Sequence, residues 1–388
     1  MLRPKEDAAM ATTVLVGTTK GAFLVGADDG EVRGPFCDGW PINHVVADQT
    51  TGDIFAAGGN GFFGAGIFRS SDQGKSWHLS KLAKGDLDDW AAADPDMAKM
   101  FGYVAHETHF DGQVDAVWSL HADQGRVWAG VKPANLFASD DAGASWAMND
   151  ALSGFEGRED WNPGAAGLIL HTIVQSPDDT ARLWLGVSAA GVFATEDGGA
   201  SWERRNRMSN ADHAVHHHHP AAPSGGETGH CVHNIQRAPG SGDVLYQQNH
   251  HGVFRSPDGG RSWDDVTDGL PSHFGFPMGV HPEDPNVIWT LPLNGDAAGR
   301  YPPDASAAVW KSVDGGQTWT DKREGLPQGA CYFTVLRQAM AVGQGTPARI
   351  WFGTNTGSIF ASDDEGESWS ELARHLPTVL SVEVLETV

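Results

Sequence analysis

An eight-residue motif that recurs six times constrains the fold of this chain more than any other feature. The motif reads S/T-x-D-x-G-x-S/T-W, and an aromatic residue stands two positions before each copy. Successive motif tryptophans are 50 to 69 residues apart, a period typical of propeller blades and solenoid units. The six copies are Ser70–Trp77, Ser139–Trp146, Thr195–Trp202, Ser256–Trp263, Ser312–Trp319 and Ser362–Trp369.

The stretches between the motifs are short and rich in β-forming residues, and they show no sustained helical period. Around the fourth copy, His233–Gln236, Val244–Gln247 and Gly252–Arg255 are predicted as successive strands, and Trp263 opens another. Asp and Ser side chains can bond to amides of their own turn, and Gly accepts a positive φ. We therefore interpret the motif as a fold-building turn whose tryptophan covers the seam between neighbouring sheets.

The number of units predicts a closed ring of seven blades. Six units are complete, and Thr13–Gly17 and Gly21–Leu24 match the second and third strands of another. Leu380–Val384 can supply its missing first strand, so this blade is split between about residues 12–35 and 378–388. Pairing of the two termini removes the open sheet edges. The prediction is a single all-β domain over residues 1–388, a seven-bladed β-propeller closed by its C-terminal strand.

The repeated motif resembles the Asp-box, or BNR, repeat of sialidases, sortilin-type receptors, bacterial glycoside hydrolase-like propellers and photosystem-assembly propellers. The similarity covers nearly the whole chain, and it is nearest to bacterial BNR-repeat proteins described as sialidase-like. It implies the propeller fold, whereas one fold hosts many activities. Sialidases also carry an early F/Y-R-I-P motif and an arginine triad, and this chain lacks the former. We therefore do not expect sialidase activity.

Composition narrows the classes of partner. The formal net charge of −24 disfavours nucleic acid and anionic membranes, since phosphate binding needs a basic face. No apolar run reaches membrane-spanning length, and no apolar segment of a secretory signal follows Met1–Asp7, so we predict a cytoplasmic protein. Cys37, Cys231 and Cys331 have neither disulfide-framework nor CxxC spacing, and none is convincingly placed with a histidine.

Histidines recur in the predicted innermost strands. His44, His171 and His233 align at the start of three such strands, and His250 lies in the loop between the next two strands of the His233 blade. Innermost strands converge on the propeller axis, so the four imidazoles could hold a divalent transition metal such as Zn, Fe or Cu. The shared register could also reflect repeat ancestry, with each ring bonded to nearby backbone. Alternatively, the imidazoles could bind a substrate anion.

Four long connections interrupt the repeat on the face opposite the Asp-box turns, here called the top face. They span about residues 81–115, 151–167, 207–229 and 293–306, and long loops in compact domains are commonly functional. We expect them to lie above the histidine-bearing sector. The third also contains His213 and the tract His216–His219. The candidate catalytic residues within these connections are Glu107, Asp160, Glu227, Arg300 and Tyr301.

These features predict a metal-dependent enzyme, specifically a hydrolase with a histidine-ligated metal in an axial top-face pocket and a small-molecule or glycan substrate. One alternative is a metal-independent glycoside hydrolase, which needs two carboxyl groups about 5–10 Å apart. The others are an Fe or Cu enzyme that uses O₂ and a non-catalytic module for interaction or assembly. The carboxylates available to the glycoside hydrolase are Asp111, Asp115, Glu156, Asp160 and Glu227.

Overall fold

The computed structural model describes residues 11–164, 166–209, 226–240 and 242–387. These residues form seven four-stranded antiparallel sheets, arranged as the blades of a β-propeller. The prediction of an all-β, seven-bladed propeller is confirmed. Blade 1 contains β1 (Ala11–Thr18), β2 (Gly21–Gly26), β3 (Val32–Phe36) and the C-terminal strand β28 (Val379–Thr387).

The other six blades are meanders in chain order, each with its first strand innermost. Blade 2 contains β4 (Ile42–Ala47), β5 (Ile54–Asn60), β6 (Gly64–Ser70) and β7 (His78–Ala83). Blade 3 contains β8 (Ala116–Asp123), β9 (Arg126–Lys132), β10 (Leu136–Ser139) and β11 (Ala147–Met148). Blade 4 contains β12 (Ile169–Gln175), β13 (Leu183–Ser188), β14 (Gly191–Thr195) and β15 (Glu203–Arg204).

Blade 5 contains β16 (Val232–Arg237), β17 (Leu245–Asn249), β18 (Gly252–Ser256) and β19 (Asp264–Asp265). Blade 6 contains β20 (Gly275–Val280), β21 (Ile288–Pro292), β22 (Val309–Ser312) and β23 (Thr320–Lys322). Blade 7 contains β24 (Met340–Val342), β25 (Ile350–Gly353), β26 (Ile359–Ser362) and β27 (Ser370–Ala373). The α-helices of the described chain are α1 (Asp86–Ala93), α2 (Pro95–Met100) and α3 (Asp150–Ser153).

The two ends of the chain meet in blade 1. Strand β28 pairs with β1 in antiparallel register, with Val14 opposite Val384 and Val16 opposite Val382. The three valines Val14, Val16 and Val382 are fully buried, so closure buries apolar side chains as well as strand edges.

The six Asp-box turns share one hydrogen-bond pattern. In blade 5, Ser256 donates to Asp258 across 2.8 Å, and the amide of Gly260 donates back to the Ser256 hydroxyl across 2.7 Å. The Asp258 carboxylate also accepts from the amide and hydroxyl of Ser262, at 2.8 and 2.6 Å. Each carboxylate therefore holds both ends of its turn, which explains why the motif requires Asp at this position.

The motif tryptophans cover blade seams, as the sequence predicts. The Trp263 side chain is fully buried, and its indole donates to the carbonyl of Arg205 in the preceding blade across 2.9 Å. Trp319 likewise donates to the carbonyl of Val266 in blade 5. Each such bond joins one blade to the outer edge of its neighbour. No helix in the described ranges is long and apolar enough to cross a membrane.

Candidate functional site

The antiparallel meanders place every loop on one of two faces. Connections from one blade to the next, and those from second to third strands, lie on the top face; the Asp-box turns lie on the opposite face. The starts of the innermost strands therefore reach the top of the axis. Below them, an axial cavity of about 310 Å³ is lined by His44, His171, Gln338 and Glu383, among others.

Strand register corrects the predicted alignment of the histidines. In four blades one residue near the start of the innermost strand is bulged out of the pairing, and these residues are Asn43, Trp118, His171 and His233. His171 and His233 are thus equivalent, whereas His44 comes one residue later and corresponds to Ser119 and Thr172. A bulge inserts one unpaired residue into a strand, and the alignment by sequence did not locate it.

His44 joins blades 2 and 3. Its Nδ1 accepts a hydrogen bond from the amide of Leu120 at 2.9 Å, and its Nε2 lies 3.4 Å from a carboxylate oxygen of Glu383. Two serines also join innermost strands of adjacent blades: Ser119 donates to the carbonyl of Leu170, and Ser381 accepts from the amide of Val45. This arrangement matches the alternative in which a histidine is bonded to neighbouring backbone.

His171 is fully buried in the wall of the axial cavity. Its ring packs edge-on against Trp118, with the centroids 5.9 Å apart. Burial, together with the positive charge of Arg337, holds the pKa of His171 well below its ordinary value, so the ring is neutral. Among the described residues its Nδ1 has no hydrogen-bond partner.

The described residues bring two of the four predicted metal ligands together, along with a cysteine. Cys231, His233 and His250 have ligand atoms that all lie within 4.8 Å of one another. The Cys231 Sγ is 3.6 Å from the His233 Nε2, and the amide of His250 donates to the carbonyl of Cys231. The judgement that no cysteine is placed with a histidine was therefore wrong. The signal in the sequence was the spacing of two residues between Cys231 and His233 on one extended segment.

The orientation of the His233 ring is set by its backbone partner. Its Nδ1 lies 2.7 Å from the carbonyl oxygen of Gly275 and must donate to it, so Nε2 carries the lone pair that points toward Cys231. Burial is the main cause that holds the pKa of His233 well below its ordinary value, and the charge of Arg337 adds to it.

Two phenylalanines and two arginines border this cluster. Phe276 packs against His233 with centroids 4.7 Å apart, and Phe274 packs against His250 at 4.9 Å. The guanidinium of Arg337 lies 4.5 Å from the Phe276 ring, and that of Arg300 lies 5.7 Å from it. We call these seven residues, from Cys231 to Arg337, the axial cluster. The predicted catalytic residue Arg300 therefore lies over the same two phenylalanine rings that the predicted ligands His233 and His250 contact.

Glu107 lies in a different place. The first insertion follows the outer strand of blade 2, and the amide of Phe110 bonds to the carbonyl of Leu82. Glu107 lines a groove of about 480 Å³ at the rim of the propeller, together with His78, His106 and Trp146. Its carboxylate is 3.8 Å from His109, and its side chain is 84% exposed. We call this the rim groove. This part of the first insertion lies along the rim, whereas the sequence predicted it above the histidine-bearing sector.

The remaining predicted catalytic residues occupy separate positions. Asp160 is exposed beside Trp161, which is buried between Phe155 and Phe193. Glu227 lies 3.0 Å from His230, next in the chain to Cys231. Tyr301 packs against Tyr332 with centroids 5.1 Å apart. The tract His216–His219, like His213, lies outside the described residues.

Comparisons with known proteins agree with this architecture. No protein-family model matches the chain. A xyloglucanase of Hypocrea jecorina is 23% identical over 249 residues, which are 57% of this chain and 26% of that protein. The GH74 xyloglucanase of Xanthomonas campestris superposes with a TM-score of 0.58 at 18% identity, over 95% of this chain and 53% of that one.

A propeller of another kind is also similar. The structure of YCF48 bound to D1 peptide superposes with a TM-score of 0.51 at 12% identity, over 95% of this chain and 86% of that one. This chain thus spans about a quarter of the curated xyloglucanase and about half of the solved one. At these identities the comparisons establish what this chain resembles in fold: the seven-bladed propeller that xyloglucanases and YCF48 share.

Proposed function

We propose that this protein is a hydrolase that cleaves a glycan at the axial cluster on the top face, with the assistance of a metal ion. The observation that carries the proposal is the axial cluster itself, where a thiol, two imidazoles and two guanidinium groups meet against a pair of phenylalanine rings. Apolar walls with a few convergent polar groups are typical of ligand sites. Glycan as the substrate class rests on the likeness to xyloglucanases, of which this chain spans only a part.

The types of side chain favour metal assistance over a pair of carboxylates. Asp111 accepts hydrogen bonds from Lys84 and Thr108 at the rim, and Glu227 is engaged with His230. These carboxylates belong to separate insertions, and Asp160 belongs to a third. At the axis, the described residues Cys231, His233 and His250 offer metal ligands instead. A metal ion at such a site would lower the pKa of a bound water and so provide a nucleophile.

The residues around the ligands have separate roles in this proposal. Arg300 and Arg337 would orient polar or anionic groups of the substrate, since a guanidinium presents several donors in a fixed plane. Glu227 would accept a proton through His230, which lies 3.0 Å away. Phe274 and Phe276 would exclude water from one side of the site.

The test is a panel of neutral and acidic oligosaccharides, including xyloglucan fragments, with products identified by mass spectrometry. We expect turnover to fall at least about 100-fold in His250→Ala, since removal of a group used in the transition state has effects of this order. Glu107→Gln is the control, because Glu107 lies in the rim groove, and we expect its turnover to match that of the unmodified protein. Loss of turnover in Glu107→Gln with full turnover in His250→Ala would refute the axial site and place the reaction at the rim.

A non-catalytic interaction module is the second candidate, and a surface feature favours it. Five large apolar side chains of the first insertion are more than a third exposed: Trp90, Met97, Met100, Phe101 and Val104. Contiguous exposed apolar surface marks interaction sites more often than chance. The similar YCF48 is described as bound to D1 peptide, which supports a binding role as the second candidate. Absence of turnover on the whole panel would favour this candidate.

A further inference from the structure

We propose that Cys231, His233 and His250 form a thiolate–imidazole binding site for a single zinc or copper(I) ion. This ligand set differs from the four histidines predicted by sequence, since it gains Cys231 and omits His44 and His171. The ion-binding site lies in the pocket where we propose that the hydrolase reaction occurs, but binding of the ion does not depend on catalysis.

The ligand atoms of Cys231 and His233 have the spacing that a tetrahedral ion requires. Zinc lies about 2.3 Å from sulfur and about 2.0–2.1 Å from nitrogen, which gives a sulfur–nitrogen edge of about 3.6 Å in a tetrahedron. The observed distance from the Cys231 Sγ to the His233 Nε2 is 3.6 Å. All three ligand atoms lie within 4.8 Å of one another, which is wider than this edge, so the half-buried His250 ring would have to move closer when an ion binds.

The surroundings orient the ligands as metal sites commonly do. A metal-binding histidine usually donates its other N–H to a carbonyl or carboxylate, which fixes the ring and the tautomer. His233 meets this condition, since its Nδ1 is 2.7 Å from the Gly275 carbonyl oxygen. The Ser188 hydroxyl lies 3.2 Å from the Cys231 Sγ and can donate to a thiolate. Phe274 and Phe276 supply the apolar shell.

The neighbouring blade provides an internal comparison. His171 has the same bulged register as His233, but Ile169 stands where blade 5 has Cys231. The two-residue turn that carries His250 in blade 5 is Ala189–Ala190 in blade 4. The repeat therefore supplies one histidine in both blades, and blade 5 adds two ligands around it. Shared repeat ancestry accounts for the histidine that both blades have. It does not account for Cys231 and His250, which a bound ion would explain.

The chemistry of the donors selects the ion. One thiolate with two imidazoles suits zinc or copper(I), whereas magnesium and calcium prefer oxygen ligands. The described residues supply three ligands, and catalytic zinc sites likewise have three protein ligands with water or substrate in the fourth position. The cation also compensates the negative charge of a buried thiolate, which would otherwise be costly in this apolar setting.

The experiment uses the full chain purified without an affinity tag, with His216–His219 replaced by serine in every protein so that this tract cannot bind metal. Metal content after dialysis is measured by mass spectrometry, and affinity by competition with a chromophoric chelator. Cobalt(II) serves as a spectroscopic probe, because a thiolate ligand produces a near-ultraviolet charge-transfer band. We expect about one equivalent of zinc or copper in this parent protein.

Cys231→Ser should abolish the charge-transfer band, and both Cys231→Ser and His250→Ala should weaken binding at least about 100-fold, since even outer-shell changes cost 10–100-fold. His171→Ala is the matched control and should retain full stoichiometry. Circular dichroism establishes that each variant is folded. Less than about half an equivalent in the parent, unchanged affinity in folded Cys231→Ser, or loss of metal in His171→Ala would overturn the proposal. Metal bound without glycan turnover would leave this site standing and refute only the proposed hydrolase.

Discussion

Replacement of Lys81 by methionine should detach the first insertion from blade 2. The Lys81 ammonium lies 2.6 Å from both carboxylate oxygens of Asp88, and the two side chains are only 3% and 5% exposed. Asp88 also accepts from the Gly85 amide and the Tyr103 hydroxyl, at 2.8 and 2.7 Å. Asp88 thus joins α1, the segment after α2 and strand β7 at one buried point.

The magnitude follows from the burial of the charge. Lys81→Met leaves the Asp88 carboxylate buried without its cation, and loss of one member of a buried pair costs about 3–5 kcal/mol. The double variant Lys81→Met/Asp88→Asn removes the uncompensated charge, so we expect it to recover about half of that loss. Lys84→Met is the control, because Lys84 and Asp111 are 3.6 Å apart and about half exposed, and we expect a cost below about 1 kcal/mol.

Urea unfolding followed by tryptophan fluorescence measures the overall cost, and hydrogen exchange of the α1 and α2 amides shows where it falls. Equal costs for Lys81→Met and Lys84→Met would refute the reasoning, as would a double variant no more stable than Lys81→Met. The pH dependence is a second check. Burial would raise the pKa of Asp88, but bonds from Gly85, Lys81 and Tyr103 outweigh it and lower the pKa. This stabilisation is therefore present above the ordinary carboxyl pKa and is lost as the pH falls through the lowered value.

Three further predictions concern the ring itself. His44→Ala should cost about 1–3 kcal/mol in urea unfolding, since it leaves the buried Leu120 amide without its acceptor, and an accompanying loss of metal would contradict the structural role of His44. Asp258→Ala removes three hydrogen bonds and should cost about 2–3 kcal/mol, whereas a cost below about 0.5 kcal/mol would show that the turn does not depend on its carboxylate. The pKa of Asp141 is lowered to about 2, mainly by the hydrogen bond from the Ser145 hydroxyl and next by the bond from the Ser145 amide. The stabilisation from the ionised Asp141 should therefore persist from neutral pH to about pH 4 and disappear toward pH 2, which acid-unfolding curves would measure.

Local rules determined most of the fold from the sequence. The residue types of the Asp-box motif predict its turn. A short carboxylate flanked by hydroxyl residues and glycine makes the bonds seen at Ser256, Asp258 and Ser262. Alternating short strands between the turns then fix the face of every loop. The split blade was predictable too, since the chain offered one extra strand at its C-terminus and one blade that needed it.

The candidate site was predictable only in part. His233 and His250 belong to one blade, and the sequence placed both near the top of the axis. Cys231 was missed although its spacing of two residues from His233 was a signal, because the bulge in β16 decides whether the two side chains meet. His44 was misaligned because β4 bulges at Asn43. The path of the insertion around Glu107 was beyond prediction, since it follows from packing of α1 and α2 on the rim.

The sequence by itself determined the architecture and the number of blades, because turns and strands depend on neighbouring residues. That function lies on the top face stays a prediction. Tertiary structure decided which side chains meet, because contact between blades depends on register shifts of one residue and on how each insertion packs. Cys231, His233 and His250 come together through backbone pairing of two strands in blade 5, whereas His44 is turned to a hydrogen bond with blade 3. A shift of one residue along a strand moves a side chain to a different environment, and no composition or spacing records it.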